Sequence, residues 1–366
     1  MVKARLMDQP ADFKELGIDP TQVQEWEDGR RDTNTPGTSE VWYFDAILDD
    51  GSKVVLYFHP KSPYKLQEAG DHPDIGILIT SPEGKTYGQQ VIDYPAEVSK
   101  FGKEKCDIKV GPHSVVGDFK DYDIHIDPIA DVAANLHFHA LVKPFRQGNT
   151  GIITLGDNDE YHYTDLNVTK NAVTGTLTYN GETHKVTGLG YHDHQWVNIS
   201  PIVAWHHWLW GHLYTENYTV FIYDFVAAKQ FNFKQIPFFG VMDNKTGEVI
   251  FQTDGNFELQ TELKTQKDIK KAFPKKSIYT FKNKNGQTVK FTTEWKQELE
   301  VRDMYWKVSA EARERYDKMG IQPGYMRYFA NGTLSFEKDG QLITESGDMI
   351  YEYNYGGKED PHAHVQ

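Results

Sequence analysis

Gly190-Tyr191-His192-Asp193-His194-Gln195-Trp196 is followed closely by Trp205-His206-His207-Trp208-Leu209-Trp210-Gly211-His212. Together these runs hold five of the chain's 15 histidines and four of its 8 tryptophans. Imidazoles exchange protons near neutral pH and indole faces stabilise positive charge. The mixture suits a site that moves protons on an apolar substrate through a cationic species. If the first run is extended, His192, His194 and Trp196 point to one side and Tyr191, Asp193 and Gln195 to the other. The same alternation gathers His206, Trp208, Trp210 and His212 on one face of the second run. Trp205, His207 and Leu209 take the opposite face, and one of the two faces is core.

Two further segments carry carboxyls among aromatic residues. Phe221-Ile222-Tyr223-Asp224-Phe225 sets an acid inside an apolar strand, where desolvation raises a carboxyl pKa and makes Asp224 a candidate general acid. Ser39-Glu40-Val41-Trp42-Tyr43-Phe44 opens the first long strand, with Glu40, Trp42 and Phe44 on one face. Glu40 is a candidate second carboxylate; Trp42 and Phe44 are candidate substrate contacts or plain core anchors. His192-x-His194, and earlier His137-Phe138-His139, have a spacing at which one strand can chelate a metal, although zinc needs a third ligand. The interleaved indoles, without a Glu/His helix motif, favour a reading with no metal.

The elements that must hold these residues are strands. Val41–Leu48 and Lys53–His59 flank Asp49-Asp50-Gly51-Ser52, and Gly76–Ser81 and Thr86–Ile92 flank Pro82-Glu83-Gly84-Lys85, the grammar of hairpins. Turn dipeptides return at Asn180-Gly181, Asn285-Gly286, Asn331-Gly332 and Asp339-Gly340. Helical signals are confined to Pro10–Trp26, a lysine-rich piece at Thr265–Phe273, and Ser309–Gly320. The strand grammar runs from about Glu40 to Gly190, is interrupted by the His/Trp-rich segment and resumes from Tyr218 to Tyr353, and its spacing predicts an all-β protein of two antiparallel barrel or sandwich domains, 1–200 and 201–366, divided near Ser200-Pro201. A barrel interior or cleft is a natural pocket for one apolar ligand.

At 366 residues the chain can bury two cores, and its 13% aromatic content favours sheets. A net charge of -14 argues against a nucleic-acid partner. Cys106 is the single cysteine, which excludes an intrachain disulfide or thiolate cluster. No Gly-rich phosphate loop, Gly-x-Ser-x-Gly elbow, signal peptide or membrane span is legible, so nucleotide binding has little support and the sequence reads as cytoplasmic. It carries no signal of oligomeric state.

Glu40-x-Trp42-Tyr43-Phe44 and Gly190-Tyr191-x-Asp193-His194-Gln195-Trp196 resemble motifs of the carotenoid 1,2-hydratase (hydroxyneurosporene synthase) superfamily, with the related kievitone hydratases and fungal Diels-Alder cyclases. The resemblance implies two lipocalin-like domains and a cofactor-free reaction on a hydrophobic, often prenylated, substrate. In that family a His-x-Trp pair and a later Tyr-x-Asp pair do the work. His194 and Trp196 match the first pair and Asp224 the acid, but Ile222 stands two before it and the tyrosine is the adjacent Tyr223. On a regular strand Tyr223 and Asp224 face opposite ways unless a bulge re-aims one.

The expected function is therefore a hydro-lyase acting on an isolated C=C bond of an isoprenoid or prenylated aromatic compound. Asp224, with His194 as partner, protonates the alkene; Trp196, Trp208 and Tyr223 stabilise the carbocation; water activated by His194, Asp193 or Glu40 adds. Trp42, Phe44, His192, Trp210 and Phe225 complete the substrate contacts. A shape-driven cyclase or isomerase, or a non-catalytic carrier of hydrophobic ligands, are the alternatives.

Overall fold

Burial alternates with a period of two along Ser39–Leu48, and the same pattern recurs wherever turn residues punctuate the chain. The computed structural model describes residues 4–358, so the outermost ends of the two expected domains, residues 1–3 and 359–366, lie outside it. The chain forms two compact units. One comprises Met7–Ile153 with Tyr161–Ser200; the other runs from Pro201 and takes in Thr154–Glu160 and the described residues up to Leu6.

The N-terminal unit is built from Ser39–Leu48 (β1), Lys53–His59 (β2), Asp74–Thr80 (β3), Thr86–Asp93 (β4), Ser99–Phe101 (β5), Asp107–Val110 (β6), His113–Gly117 (β7), Asp121–Ile129 (β8), Val132–Ala140 (β9), Tyr161–Tyr179 (β10) and Glu182–Val197 (β11). Neighbours hydrogen-bond in the order β4-β3-β2-β1-β11-β10-β9-β8-β7-β6-β5, so the long β10–β11 hairpin closes back on β1. Inward side chains from all these strands fill one core, including Trp42, Phe44, Phe58, Ile77, Tyr122, Phe138 and Val168.

The C-terminal unit has Trp205–Tyr214 (β12), Tyr218–Ala227 (β13), Gln235–Asp243 (β14), Val249–Gln252 (β15), Asn256–Gln266 (β16), Lys271–Lys282 (β17), Thr288–Asp303 (β18), Ile321–Lys338 (β19) and Gln341–Gly357 (β20). Their order is β15-β14-β13-β12-β20-β19-β18-β17-β16, around a core rich in Phe and Tyr. Each unit is thus a curled antiparallel sheet, the all-β lipocalin-like architecture expected. Both expected hairpins form, pairing β1 with β2 and β3 with β4.

Three expectations change. Thr265–Phe273 is not helical; Lys271–Lys282 pairs back on Asn256–Gln266, and the lysines sit in and around the turn of a hairpin whose tertiary pairing overrides weak helix propensity. The His/Trp-rich region does not interrupt the strand pattern, because both runs are themselves strands, separated by the single turn Pro201–Ala204. The Pro10–Trp26 stretch keeps helix only at Pro10–Leu16 and then becomes the 3-10 turn Glu25–Asp28. Ser309–Gly320 behaves as its caps predict: Ser309 Oγ accepts from the Ala312 N–H and Gly320 ends Ala310–Met319 in the left-handed region.

Candidate functional site

Pairing of β1 with β11 sets Phe44 opposite His192, Trp42 opposite His194 and Glu40 opposite Trp196. The imidazoles stack face to face on their cross-strand partners, with centroids 4.1 Å apart for Phe44–His192 and 4.4 Å for Trp42–His194. Both histidines, Glu40 and the two aromatic rings are fully buried inside the N-terminal sheet. Trp196, half-buried, lies 5.3 Å from the His194 ring and packs with Met7, Ile18 and Ile152.

The 3-10 turn Glu25–Asp28 brings a further polar layer to the same place. His194 Nε2 lies 2.8 Å from Glu40 Oε1, and His194 Nδ1 lies 3.1 Å from the Glu27 carbonyl and 3.5 Å from Asp28 Oδ1. The Arg31 and Asp32 N–H groups donate to the two Glu40 oxygens at 2.7 and 3.0 Å. Both nitrogens of the His194 ring are thus engaged by oxygens of the Glu40 side chain and the Glu25–Asp28 turn. His192 Nδ1 donates to the Tyr43 carbonyl at 2.9 Å, which leaves Nε2 facing Asp28 Oδ1 at 3.4 Å.

Tyr122 Oη donates to Asp28 Oδ2 at 2.7 Å and Trp42 Nε1 to the Asp28 carbonyl at 2.9 Å. Burial, followed by the negative charge of Asp28, pushes the Tyr122 phenol well above its ordinary pKa. Glu27 pairs with Arg146 at 2.6 Å, both side chains nearly inaccessible; desolvation outweighs the guanidinium and raises the Glu27 carboxyl above its ordinary range.

The opposite face of β11 is buried too. Asn167 on β10 stands opposite Asp193, and Asp165 opposite Gln195, so the two aspartates are diagonal neighbours on adjacent strands. Asn167 Nδ2 donates to Asp165 Oδ2 at 2.9 Å, Gln195 Nε2 to Asp193 Oδ1 at 3.1 Å, and Tyr163 Oη to Gln195 Oε1 at 2.7 Å. Asp165 Oδ1 and Asn167 Oδ1 find no hydrogen-bond donor among the described residues. Burial raises the Asp165 carboxyl to about 7, and burial followed by repulsion from Asp165 raises Asp193 well above the carboxylate range. Burial thus favours the acid form of both carboxyls. Tyr191 and Tyr43 meet edge to face at 6.3 Å, Tyr191 fully buried.

In the C-terminal unit β13 runs without a bulge through residues 222–226, so Asp224 and Tyr223 do point opposite ways. Asp224 faces inward with Ile222 and Val220. Tyr279 Oη donates to its Oδ2 at 2.7 Å, and Gln235 Nε2 reaches both oxygens at 2.8 and 3.0 Å. Desolvation still raises this carboxyl above its ordinary value. Beside it is a cavity of about 30 Å³, lined in part by His207, Ser277, Tyr279 and Tyr353, which is room for water and not for an isoprenoid.

Tyr223 belongs to the other face, where it stacks on Phe225 at 3.8 Å and meets Trp208 edge-on at 6.4 Å; Trp210 pairs across from it. A register shift between Trp205 and His207 moves Trp205 to this aromatic face, 4.6 Å from Phe225, and off the His207 side where strict alternation placed it.

Residues 89–336 match the Svf1 family. The chain belongs to the Svf1 family. No curated protein sequence matches this Svf1-family chain. Among solved structures it is similar to CghA with Sch210972, at 11% identity and a TM-score of 0.60, over 88% of this chain and 90% of that one. A Nitrosomonas europaea protein described as AttH gives 13% identity and 0.57, over 92% and 98%. Kievitone hydratase from Nectria haematococca gives 14% and 0.53, over 88% and 91%. At these identities the likeness is one of fold, and it places the Svf1-family chain in the two-domain lipocalin-like architecture of these structures.

Among the expected site residues of this Svf1-family chain, β1 and β11 unite His192, His194, Glu40, Trp42 and Phe44 on the inner face and direct Asp193 to the outer. Tyr223, Phe225, Trp208 and Trp210 share a face of β12 and β13, from which Asp224 points away. Sequence reasoning missed Asp28, Glu27, Arg146, Tyr122 and Asp165. A usable signal existed only for the turn, where Gln24 and Glu27 form a capping box; that locates its start and not its inward direction.

Proposed function

We propose that this chain is a cofactor-independent hydro-lyase of the cytoplasm, adding water to, or removing it from, an isolated C=C bond of a hydrophobic isoprenoid or prenylated aromatic substrate. The observation that carries the reading is the pair of buried carboxyls Asp165 and Asp193, diagonal neighbours on β10 and β11 whose acid form burial favours. In the hydration direction a protonated member gives its hydrogen to the less substituted alkene carbon, leaving a tertiary cation on the other. Water adds to that cation, and the pair takes the released proton and returns to its starting state. Tyr191 and Tyr43 offer ring faces to the cation on the same side of the sheet.

His194 acts in this scheme as a positioning residue: with both ring nitrogens engaged by Glu40 and Glu27, it holds β1, β11 and the Glu25–Asp28 turn together. Asp224, also raised by burial, is the alternative proton donor. The aromatic face formed by Trp208, Trp210, Tyr223 and Phe225 suits a polyene or prenyl chain.

A specific observation favours the carrier as second reading. The polar atoms of His194 and Asp224, the two groups the family motif selects, are consumed by internal hydrogen bonds. Prenylated phenols and acyclic terpenoids incubated with the protein in isotopically labelled water distinguish the readings. A hydratase returns a product heavier by one labelled water, and Asp165→Asn or Asp193→Asn abolishes it. Uptake lost only in Asp224→Asn moves the acid to that residue. Ligand retained and returned unchanged supports the carrier, and an unlabelled isomer of equal mass supports a cyclase.

A further inference from the structure

The outer face of β8 and β9 carries a second group of histidines, on the opposite side of these strands from the inward-pointing Tyr122 and Phe138. Asn135, His137 and His139 on β9 stand opposite His125, Asp123 and Asp121 on β8, forming a polar ladder on the exposed side. Asp121, His137 and His139 each offer one ligand atom, all within 4.8 Å of one another. His139 Nδ1 lies 2.7 Å and His137 Nε2 3.3 Å from the same oxygen, Asp121 Oδ1. Ligands at the roughly 2.0–2.2 Å bond lengths of zinc sit about 3.3 Å apart, so a small displacement of these side chains opens room for the ion.

We propose that Asp121, His137 and His139 form a surface binding site for a divalent transition metal, with Zn²⁺ as the fitting ion. The argument rests on His137. Its Nδ1 is hydrogen-bonded to Asp123 Oδ1 at 2.9 Å while its Nε2 faces Asp121, so both ring nitrogens meet carboxylates. A neutral imidazole satisfies one acceptor; a cation at Nε2 satisfies the other. Asp123 then plays the part of the carboxylate that fixes tautomer and ring orientation behind a metal-bound histidine. Two imidazoles and one carboxylate are a borderline donor set that suits zinc over magnesium or calcium. The ligand side chains are between 37% and 46% exposed, which leaves the remaining coordination positions to water.

The expected ion is tested by calorimetric titration of the full chain with ZnCl₂. The starting protein carries His362→Ala and His364→Ala, because those residues form another His-x-His pair in the sequence. One equivalent of Zn²⁺ binds with at least micromolar affinity. His137→Ala with His139→Ala removes the binding, and Asp123→Asn, which touches no metal, weakens it by about 10–100-fold. Unchanged circular dichroism in these exposed-site variants separates lost ligands from lost fold. Absence of binding below millimolar Zn²⁺, or binding that survives the double histidine substitution, overturns the proposal.

Discussion

Replacing Asp165 by asparagine should change the pH dependence of stability in a direction opposite to ordinary acid denaturation. Most buried carboxyls that are paired with cations lose stability as pH falls. Asp165 is raised from 3.8 to about 7 by burial, so the folded chain binds a proton that the unfolded chain releases between about pH 4 and pH 7. Stability from this group is therefore greatest at the acid end and declines as pH rises through that window. Three units at about 1.4 kcal/mol each give a loss on the order of 4 kcal/mol by pH 7. Asp193 is shifted the same way, so it adds to the decline. Urea unfolding midpoints of the native chain, Asp165→Asn and Asp193→Asn between about pH 5 and 8 measure this as a difference of slopes, in which contributions common to all three cancel. The asparagine variants should flatten the decline by about one proton and be the more stable forms at pH 8. An infrared band of a protonated carboxyl at neutral pH should weaken with either substitution. Equal slopes in all three proteins would refute the raised carboxyls and with them the acid of the proposed mechanism.

Three other outcomes are expected. His194→Ala strips Glu40 of its imidazole partner and Trp42 of its stacked ring, and should cost about 3–5 kcal/mol in denaturant unfolding; a loss under about 1 kcal/mol would mean that the ring is not structural. Arg146→Ala leaves Glu27 buried and unpaired, a loss of similar size, and Arg146→Lys recovers only part of it because the guanidinium also donates to the Asp19 carbonyl. Gly190→Ala should destabilise by about 1–3 kcal/mol, since a Cβ there meets the Phe138 ring at 2.4 Å and Val173 at 2.7 Å; thermal unfolding checks this, and a neutral result would show that β9 and β10 give way.

Strand alternation made much of this molecule legible. It assigned His192 and His194 to one side and Asp193 to the other, and it opposed Tyr223 to Asp224, because period two is local and survives any tertiary arrangement. Turn chemistry likewise located the β1–β2 and β3–β4 hairpins. What escaped was long-range. Glu25-Trp26-Glu27-Asp28 reads as a solvated acidic turn, and only the closed sheet reveals that Asp28 is sealed beneath Tyr122, nearly a hundred residues on. Asp165 has no motif at all, since its significance comes from lying diagonally across a ladder from Asp193. The lysines of 265–273 misled because helix propensity is a weak prior beside an eleven-residue strand pairing.

The upper part of β11 is buried on both faces, with imidazoles on one and a carboxyl pair on the other. Such a strand has no spare side to absorb an indel. Inserting or deleting one residue ahead of Tyr191 would exchange the two environments, driving Asp193 in among Trp42 and Phe44 and turning His194 out towards Asp165. Length variation in this protein should therefore collect at the Tyr179–Glu182 hairpin tip, where an added residue lengthens a loop and leaves the parity of Tyr191–Trp196 intact.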